Sequence, residues 1–281
     1  MSKLCDLHTH SLASDGSYTP SEIIDAAVAL NLSAVALTDH NCIDGLPEFL
    51  EAASGKPIEA ICGSEFSVDY DGIELHLHGL YIPTSYFAQV SDFTRDIINK
   101  KEQSNLALID SLKKEGIILD YEAIKNSTPN GNVNRKHIAI ALTSLGYTQS
   151  DEEAFNTLLS EQSGHYKPQK RVTLWEMIDF IRSIHAAPIL AHPLKELSPP
   201  QLENLLIEAK SRGLMGLECT HSDYTPSHVE FSLDITQRLN LLPSGGSDFH
   251  GIRKTGIYLG CGRNNVSVPY QWAINIKNAL K

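Results

Sequence analysis

Cysteine is scarce in this 281-residue chain and odd in number: Cys5, Cys42, Cys62, Cys219 and Cys261. No two stand in a C-x-x-C pair, which argues against both a structural zinc ribbon and a disulfide framework. Long apolar runs are missing as well. No stretch of about 18 apolar residues occurs, so no membrane-spanning helix is expected. The opening MSKLCDLHTH has no apolar h-region, so no signal peptide is expected and the default compartment is the cytoplasm. Basic residues are outnumbered: 23 Lys+Arg against 34 Asp+Glu leave a formal charge of −11. Such a chain is a poor generic partner for duplex DNA or an anionic membrane. Gly and Pro, at 18 and 13, are too few for a collagen-like or low-complexity chain. No glycine-rich phosphate loop follows the first apolar segment, which weakens a dinucleotide-binding open sheet.

What is present is an α/β pattern. Hydrophobic residues make up 42% and charged residues 20%, enough apolar content for a sizeable core. KLCDL, SAVALTDH, IEAIC, PILAH, MGLEC and LLPSGGSDFH read as buried strands, GIELHLHGLYI as a half-exposed strand and GIYLG as a short late one. Helix starts carry capping-box spacing at Thr19-Pro20-Ser21-Glu22, Thr173-Leu174-Trp175-Glu176 and Ser198-Pro199-Pro200-Gln201. From about residue 85 to 163 the pattern changes. Ile97, Ile98, Leu106, Ile109 and Leu112 recur at helical spacing and no strand is obvious. The expected organisation is an α/β domain over residues 1–84 and 164–281, with a helical insertion over 85–163 contributing to the substrate pocket. Six or seven β-α units with polar strand ends imply a parallel barrel or closed sheet whose chemistry sits at that rim; a doubly wound open sheet is the alternative.

The informative residue is histidine, present 12 times and repeatedly set beside acids at strand ends. His8 and His10 follow the first strand as H-x-H. In extended backbone residues i and i+2 face one way, so two imidazoles can grip one ion. Asp15 lies in the next loop, Thr38-Asp39-His40 ends the second strand, and Glu65 follows the third. His76 and His78 share one face of the next strand. His192, and then Ser247-Asp248-Phe249-His250, end two later ones. Any one of these could be a satisfied polar residue. Together they crowd one rim with groups whose unpaired burial is costly. A multinuclear site of imidazoles and carboxylates resolves that cost. Asp39 is expected either to orient a ligand imidazole or to cap its loop.

The ordered set H-x-H, loop Asp, T-D-H, Glu, A-H-P and G-S-D-F-H resembles the polymerase-and-histidinol-phosphatase (PHP) family along the whole chain, and is similar to its small stand-alone phosphoesterases. The resemblance implies a distorted (β/α)7 barrel with a helical insertion domain. It implies two or three divalent metal ions, manganese first, with iron and zinc as alternatives. Carried over motif by motif, the ligands would be His8, His10, Asp15, His40, Glu65, His76, His192, Asp248 and His250, with Glu65 bridging two ions. The pattern favours His76 over His78, where relatives often carry an apolar residue. His78 is then a supporting or packed side chain.

Hydrolysis of a phosphate ester by a metal-bridging hydroxide is the implied reaction. No Ser-His-Asp set is evident and no protein nucleophile is needed. The segment from Arg95 to Arg171 holds 11 Lys/Arg against 10 Asp/Glu, leaving 12 against 24 elsewhere, so the insertion is the relatively basic part. Within it Arg135 and His137 resemble an R-x-H element of related phosphoesterases and would bind substrate phosphate. Lys167, Lys170 and Arg171 form a second basic stretch. His221, after MGLEC, is a candidate phosphate donor or general acid. The expected partner is a small phosphorylated substrate: first a nucleoside 3',5'-bisphosphate or short oligonucleotide, then a cyclic or sugar phosphate or histidinol phosphate. Two other readings are an amidohydrolase, weakened by the lack of a lysine at a rim strand end, and a non-catalytic metal-stabilised PHP module. The oligomeric state is not legible.

Overall fold

Two units make up the chain, Met1–Ser91 with Val172–Lys281, and Asp92–Arg171. The computed structural model describes residues 3–128, 133–166 and 171–281. The first unit carries β1 (Leu4–Asp6), β2 (Ala34–Leu37), β3 (Glu59–Tyr70), β4 (Ile73–Leu80), β5 (Ala187–Ala191), β6 (Gly216–Thr220), β7 (Leu242–Gly245) and β8 (Val268–Pro269). Their order is β7-β6-β5-β4-β3-β2-β1-β8. Pairing is parallel except around β4, antiparallel to β3 and β5, and at β8, antiparallel on β1.

Just past their named ends, β7 and β1 join. Leu7 N donates to Gly245 O at 3.1 Å, Asp248 N to His8 O at 2.9 Å, and His10 N to Phe249 O at 2.9 Å. Seven strands therefore form a nearly closed barrel, with β8 added at one edge. A side chain at Gly246 would put its Cβ 2.3 Å from His8 Cβ, so this close approach needs glycine.

Helices α1 (Pro20–Ala29), α2 (Leu46–Ala53), α7 (Leu174–Ser183), α8 (Pro199–Ser211), α9 (Pro226–Arg238) and α10 (Tyr270–Ala279) belong to this unit. The capping boxes form at Thr19/Glu22 and Thr173/Glu176, where side chain and backbone exchange bonds of 2.8–3.2 Å. α7 shows why such a segment packs as a helix: Leu174, Met177, Ile178 and Ile181 recur at helical spacing and are all buried. Cys5, Leu7, Ala34, Ala36, Ile61 and Ile189 form one core cluster with Val268, Ala273 and Ile276. Full burial of each large aliphatic side chain contributes about 1.5–3 kcal/mol.

Helix α3 (Phe87–Lys114) leads into the second unit, which continues with α4 (Tyr121–Ser127), α5 (Arg135–Ser144) and α6 (Asp151–Asn156). Leu108, Leu112, Ile124, Ile138, Leu142 and Leu159 make its own core, and none of its described residues is in a strand. Among the described residues of the whole chain, no helix is long and apolar enough to cross a membrane.

Two strand expectations need correction. β3 does not stop near Glu65 but runs five residues further and turns back through Asp71-Gly72, both at positive φ (51° and 84°), into β4. Asp-Gly between strands is the signal of a two-residue hairpin. GIYLG is no strand: Gly256, Gly260 and Gly262 all take positive φ, and Gly262 N closes a turn onto Tyr258 O at 2.8 Å. Edge pairing to β1 is made instead by Val268–Pro269.

The seam between β1 and β7 is pinned by Asp6, whose buried carboxylate accepts from Ser247 N (2.9 Å), Ser247 Oγ (2.5 Å), Gly260 N (2.8 Å) and His8 N (3.3 Å). Asp6→Ala strands those donors in the core. Urea unfolding should show a loss of about 2–4 kcal/mol, and a loss below about 1 kcal/mol would mean that the seam holds without it.

Candidate metal centre

Each expected ligand except Asp15, which sits in the loop after His10, is delivered by a strand or the residues just beyond one. β1 runs out at His8 and His10. Their Nε2 atoms face one another at 3.0 Å. Glu65 Oε2 lies 3.2 Å from both, and Asp248 Oδ1 lies 3.4 and 3.3 Å from them. Both carboxylate oxygens thus lie 3.2–3.4 Å from both imidazole nitrogens, a spacing suited to donors that share one ion. Without an ion the two imidazole nitrogens meet lone pair to lone pair, or share a single proton.

The other oxygen of Glu65 serves a second set. Oε1 stands 2.7 Å from His76 Nδ1 and 2.8 Å from His192 Nε2. His40 Nδ1 approaches Oε2 at 3.1 Å. Asp15, His40, His250 and His10 form a looser third group, with Asp15 Oδ1 3.2 Å from His250 Nε2 and Asp15 Oδ2 3.8 Å from His40 Nε2. The buried His10 Nδ1 makes no hydrogen bond, and His250 Nε2 meets only the Asp15 carboxylate, out of hydrogen-bond alignment. Orphaned imidazole nitrogens converging on carboxylates are the donor set of a transition-metal site, so the residues present fit divalent ions. A cleft of about 200 Å³ opens beside the second set, lined by Glu74, His76, His192, Pro193 and Glu196 and by no lysine or arginine.

Electrostatics follow the geometry. Burial pushes Glu65 towards protonation, yet the imidazoles of His76, His8 and His40 hold its carboxyl well below the usual carboxylate range. Asp248 is held low in the same way, against its burial, by His8, His10 and His221. Burial drives His40 down to about 3 and His192 down to about 4, so both are neutral and free to ligate at pH 7. His192 and Asp248 sit at φ 29° and 55°, backbone that non-glycine residues rarely adopt, and such strain collects at functional sites.

Three features lay outside the sequence expectations. Glu218 is a fully buried acid in β6; its Oε1 lies 3.0 Å from His8 Nδ1, and its Oε2 accepts from His192 N at 2.8 Å. With its Nδ1 engaged by Glu218, His8 turns Nε2 towards His10, Glu65 and Asp248. One carboxylate inside an otherwise apolar strand was the available signal. Lys254 Nζ lies 2.7 Å from Asp248 Oδ2. Asp39 touches no imidazole. It accepts from Ser11 N and Oγ, both at 2.7 Å, and from Ser14 Oγ, clamping the loop that carries Asp15.

The remaining candidates are engaged as follows. His221 Nε2 lies 3.2 Å from Asp248 Oδ2, while its Nδ1 accepts from Asp223 N at 3.1 Å. Arg135 opens α5 with its guanidinium carbon 4.2 Å from the Tyr166 ring centroid, and its Nη1 donates to Leu159 O at 3.4 Å. His137 Nδ1 accepts from Asn134 N at 3.1 Å, completing the cap of that helix. Lys167 and Lys170 lie outside the described residues.

With the ligand motifs set around a barrel rim, one comparison decides the family: the PHP domain profile matches residues 6–185. The chain belongs to the PHP domain family. It is 29% identical over 251 residues to the 5'-3' exoribonuclease of Haemophilus influenzae, covering 89% of this chain and 91% of that protein. It is 28% identical over 248 residues to the 3',5'-nucleoside bisphosphate phosphatase of Chromobacterium violaceum, covering 87% and 86%. A solved structure of a proposed metal-dependent phosphoesterase from Bifidobacterium adolescentis superposes with a TM-score of 0.71 at 25% identity, over 98% of this chain and 95% of that one.

The two histidines of this PHP chain's β4 separate cleanly. His76 reaches Glu65, whereas His78 is fully buried, edge-on to His8 with ring centroids 4.2 Å apart, and neither of its nitrogens has a hydrogen bond. An unpaired buried polar group costs about 1–3 kcal/mol, so an apolar side chain of similar size is at least neutral there. His78→Leu should keep the full metal content and an unchanged or raised Tm, while His76→Ala should lose one ion per chain. Metal analysis beside thermal melts checks this; the opposite ranking would contradict the assignment.

Proposed function

We propose that this PHP protein hydrolyses a phosphate ester of a small nucleotide at the two donor sets that meet on Glu65. The observation that carries the reading is the division of that carboxylate, one oxygen facing His8, His10 and His40, the other facing His76 and His192. Held there, two divalent ions supply an activated water at neutral pH and Lewis-acid neutralisation of phosphoryl charge. The chain's own residues do the rest. Glu218 fixes the ring of His8, His221 holds Asp248 Oδ2 so that Oδ1 stays turned inward, and Asp39 fixes the loop bearing Asp15.

Manganese is our first choice of ion, with iron and zinc as alternatives, because a mixed imidazole–carboxylate set accepts all three. The activities named for the two relatives, on RNA and on a nucleoside bisphosphate, support a nucleoside 3',5'-bisphosphate or short oligonucleotide as substrate. His221 is the protein group proposed to meet the phosphate or protonate the leaving oxygen. Arg135 and His137, in the relatively basic helical unit, are proposed to add phosphate capture.

The test is a screen of adenosine 3',5'-bisphosphate, short RNA, p-nitrophenyl phosphate and its diester with protein reconstituted in turn with Mn²⁺, Fe²⁺ and Zn²⁺. Turnover is expected with at least one nucleotide, strongest with Mn²⁺. Glu65→Gln removes a ligand shared by both sets and should lower kcat by more than the roughly 10- to 100-fold typical of supporting residues. Arg135→Ala should lower kcat/KM about 10- to 150-fold with metal content intact, the cost of a charge-assisted hydrogen bond. Near-normal turnover in Glu65→Gln at saturating metal would sink the reading.

A further inference from the structure

Lys254 has no part in the metal-ligand motifs, yet its ammonium is brought against them. Its Nζ lies 2.7 Å from Asp248 Oδ2, the oxygen opposite the one that faces His8 and His10. Its placement is built. The turn Gly251–Arg253 that precedes it is tied to the loop carrying Asp15: Ile252 N donates to Ser17 Oγ at 2.9 Å, Arg253 Nε to Gly16 O at 3.1 Å, and Ser17 N to His250 O at 3.1 Å. The side chain of Asp248 is 4% exposed and that of Lys254 38%, so the ammonium stands where the buried centre meets solvent.

Charge counting gives it a task. Glu65, Asp248, Glu218 and Asp15 are four carboxylates, and two divalent ions only balance them. A phosphoryl group arrives with one or two further negative charges. The cleft beside the second set offers no lysine or arginine. The nearby cations Lys195 and Arg263 are turned to Asp223, at 3.5 and 3.4 Å. An ammonium has three N–H donors, and Asp248 Oδ2 occupies one of those of Lys254.

We propose that Lys254 is the anion-binding residue of the barrel rim: it caps Asp248 Oδ2 with one N–H and donates another to a non-bridging phosphoryl oxygen of the substrate. This rests on the phosphoester reading above. Developing charge on the transferring group is met by a preplaced ammonium, the arrangement that stabilises loose phosphoryl-transfer transition states. Lys254 transfers no proton in this role.

The experiment compares Lys254→Met and Lys254→Arg with the wild type, all reconstituted with Mn²⁺. Three quantities are read: ions bound per chain, the dissociation constant of inorganic phosphate by calorimetry, and kcat and KM separately. The expected result for Lys254→Met is unchanged metal content, phosphate binding weakened at least about 10-fold, and kcat/KM lowered about 10- to 150-fold, the range for one charge-assisted hydrogen bond. Lys254→Arg should recover most of both losses. Unchanged phosphate binding in a folded Lys254→Met would overturn the proposal, as would loss of an ion, which would make the ammonium a support for Asp248 alone. Phosphate binding that depends on Lys254 in a protein that turns over no phosphate ester would uphold the anion site while removing the hydrolytic reading.

Discussion

A carboxylate buried among five imidazoles sets the terms for the whole barrel. Glu65 is fully buried, and its two oxygens lie 2.7–3.2 Å from nitrogens of His8, His10, His40, His76 and His192. An unpaired buried charge costs several kcal/mol, which neutral rings alone would not repay. Divalent cations would, and the local architecture gathers the side chains proposed to hold them. β3 runs past the rim so that Glu65 lies inside a strand. β4 turns back antiparallel so that His76 comes down upon it. The β1–β7 seam closes tightly at Gly246 and is pinned by Asp6, so that Asp248 comes against His8 and His10.

Around this centre a layer of acids works by orientation. Asp6, Asp39 and Glu218 are each buried and each receive two or more hydrogen bonds or close imidazole contacts. None faces solvent, and each fixes something that carries a proposed ligand: the β1–β7 seam, the Asp15 loop, the ring of His8. Mixed imidazole–carboxylate sites depend on this second layer because an imidazole must present one chosen nitrogen. The positive φ of His192 and Asp248 fits the same logic, since strain at a ligand persists only where the surroundings over-determine it.

Legibility in the sequence tracked how local each signal was. H-x-H, T-D-H, A-H-P and G-S-D-F-H put chemistry at strand ends, and polar residues there stand out against apolar runs. The helix starts at Thr19 and Thr173 were legible for the same reason, being short-range hydrogen-bond patterns. The reversed β4 was not, because strand direction is set by pairing, and only Asp71-Gly72 hinted at it. Glu218, Lys254 and the clamp role of Asp39 depend on partners 26, 6 and 28 residues away, which no local pattern encodes. GIYLG read as a strand by hydropathy, while its glycines placed the backbone in a turn. Arg135 read as a phosphate ligand by motif; its stacking on Tyr166 was visible only once α5 was packed.

The central claim is that Glu65 bridges two ions through separate oxygens. Anomalous diffraction from crystals reconstituted with Mn²⁺ tests it most directly. The account predicts at least two peaks, one within about 2.2 Å of Glu65 Oε2 and bounded by His8, His10 and Asp248, the other at a similar distance from Oε1 and bounded by His76 and His192. A single peak, or two peaks of which only one touches Glu65, would contradict it.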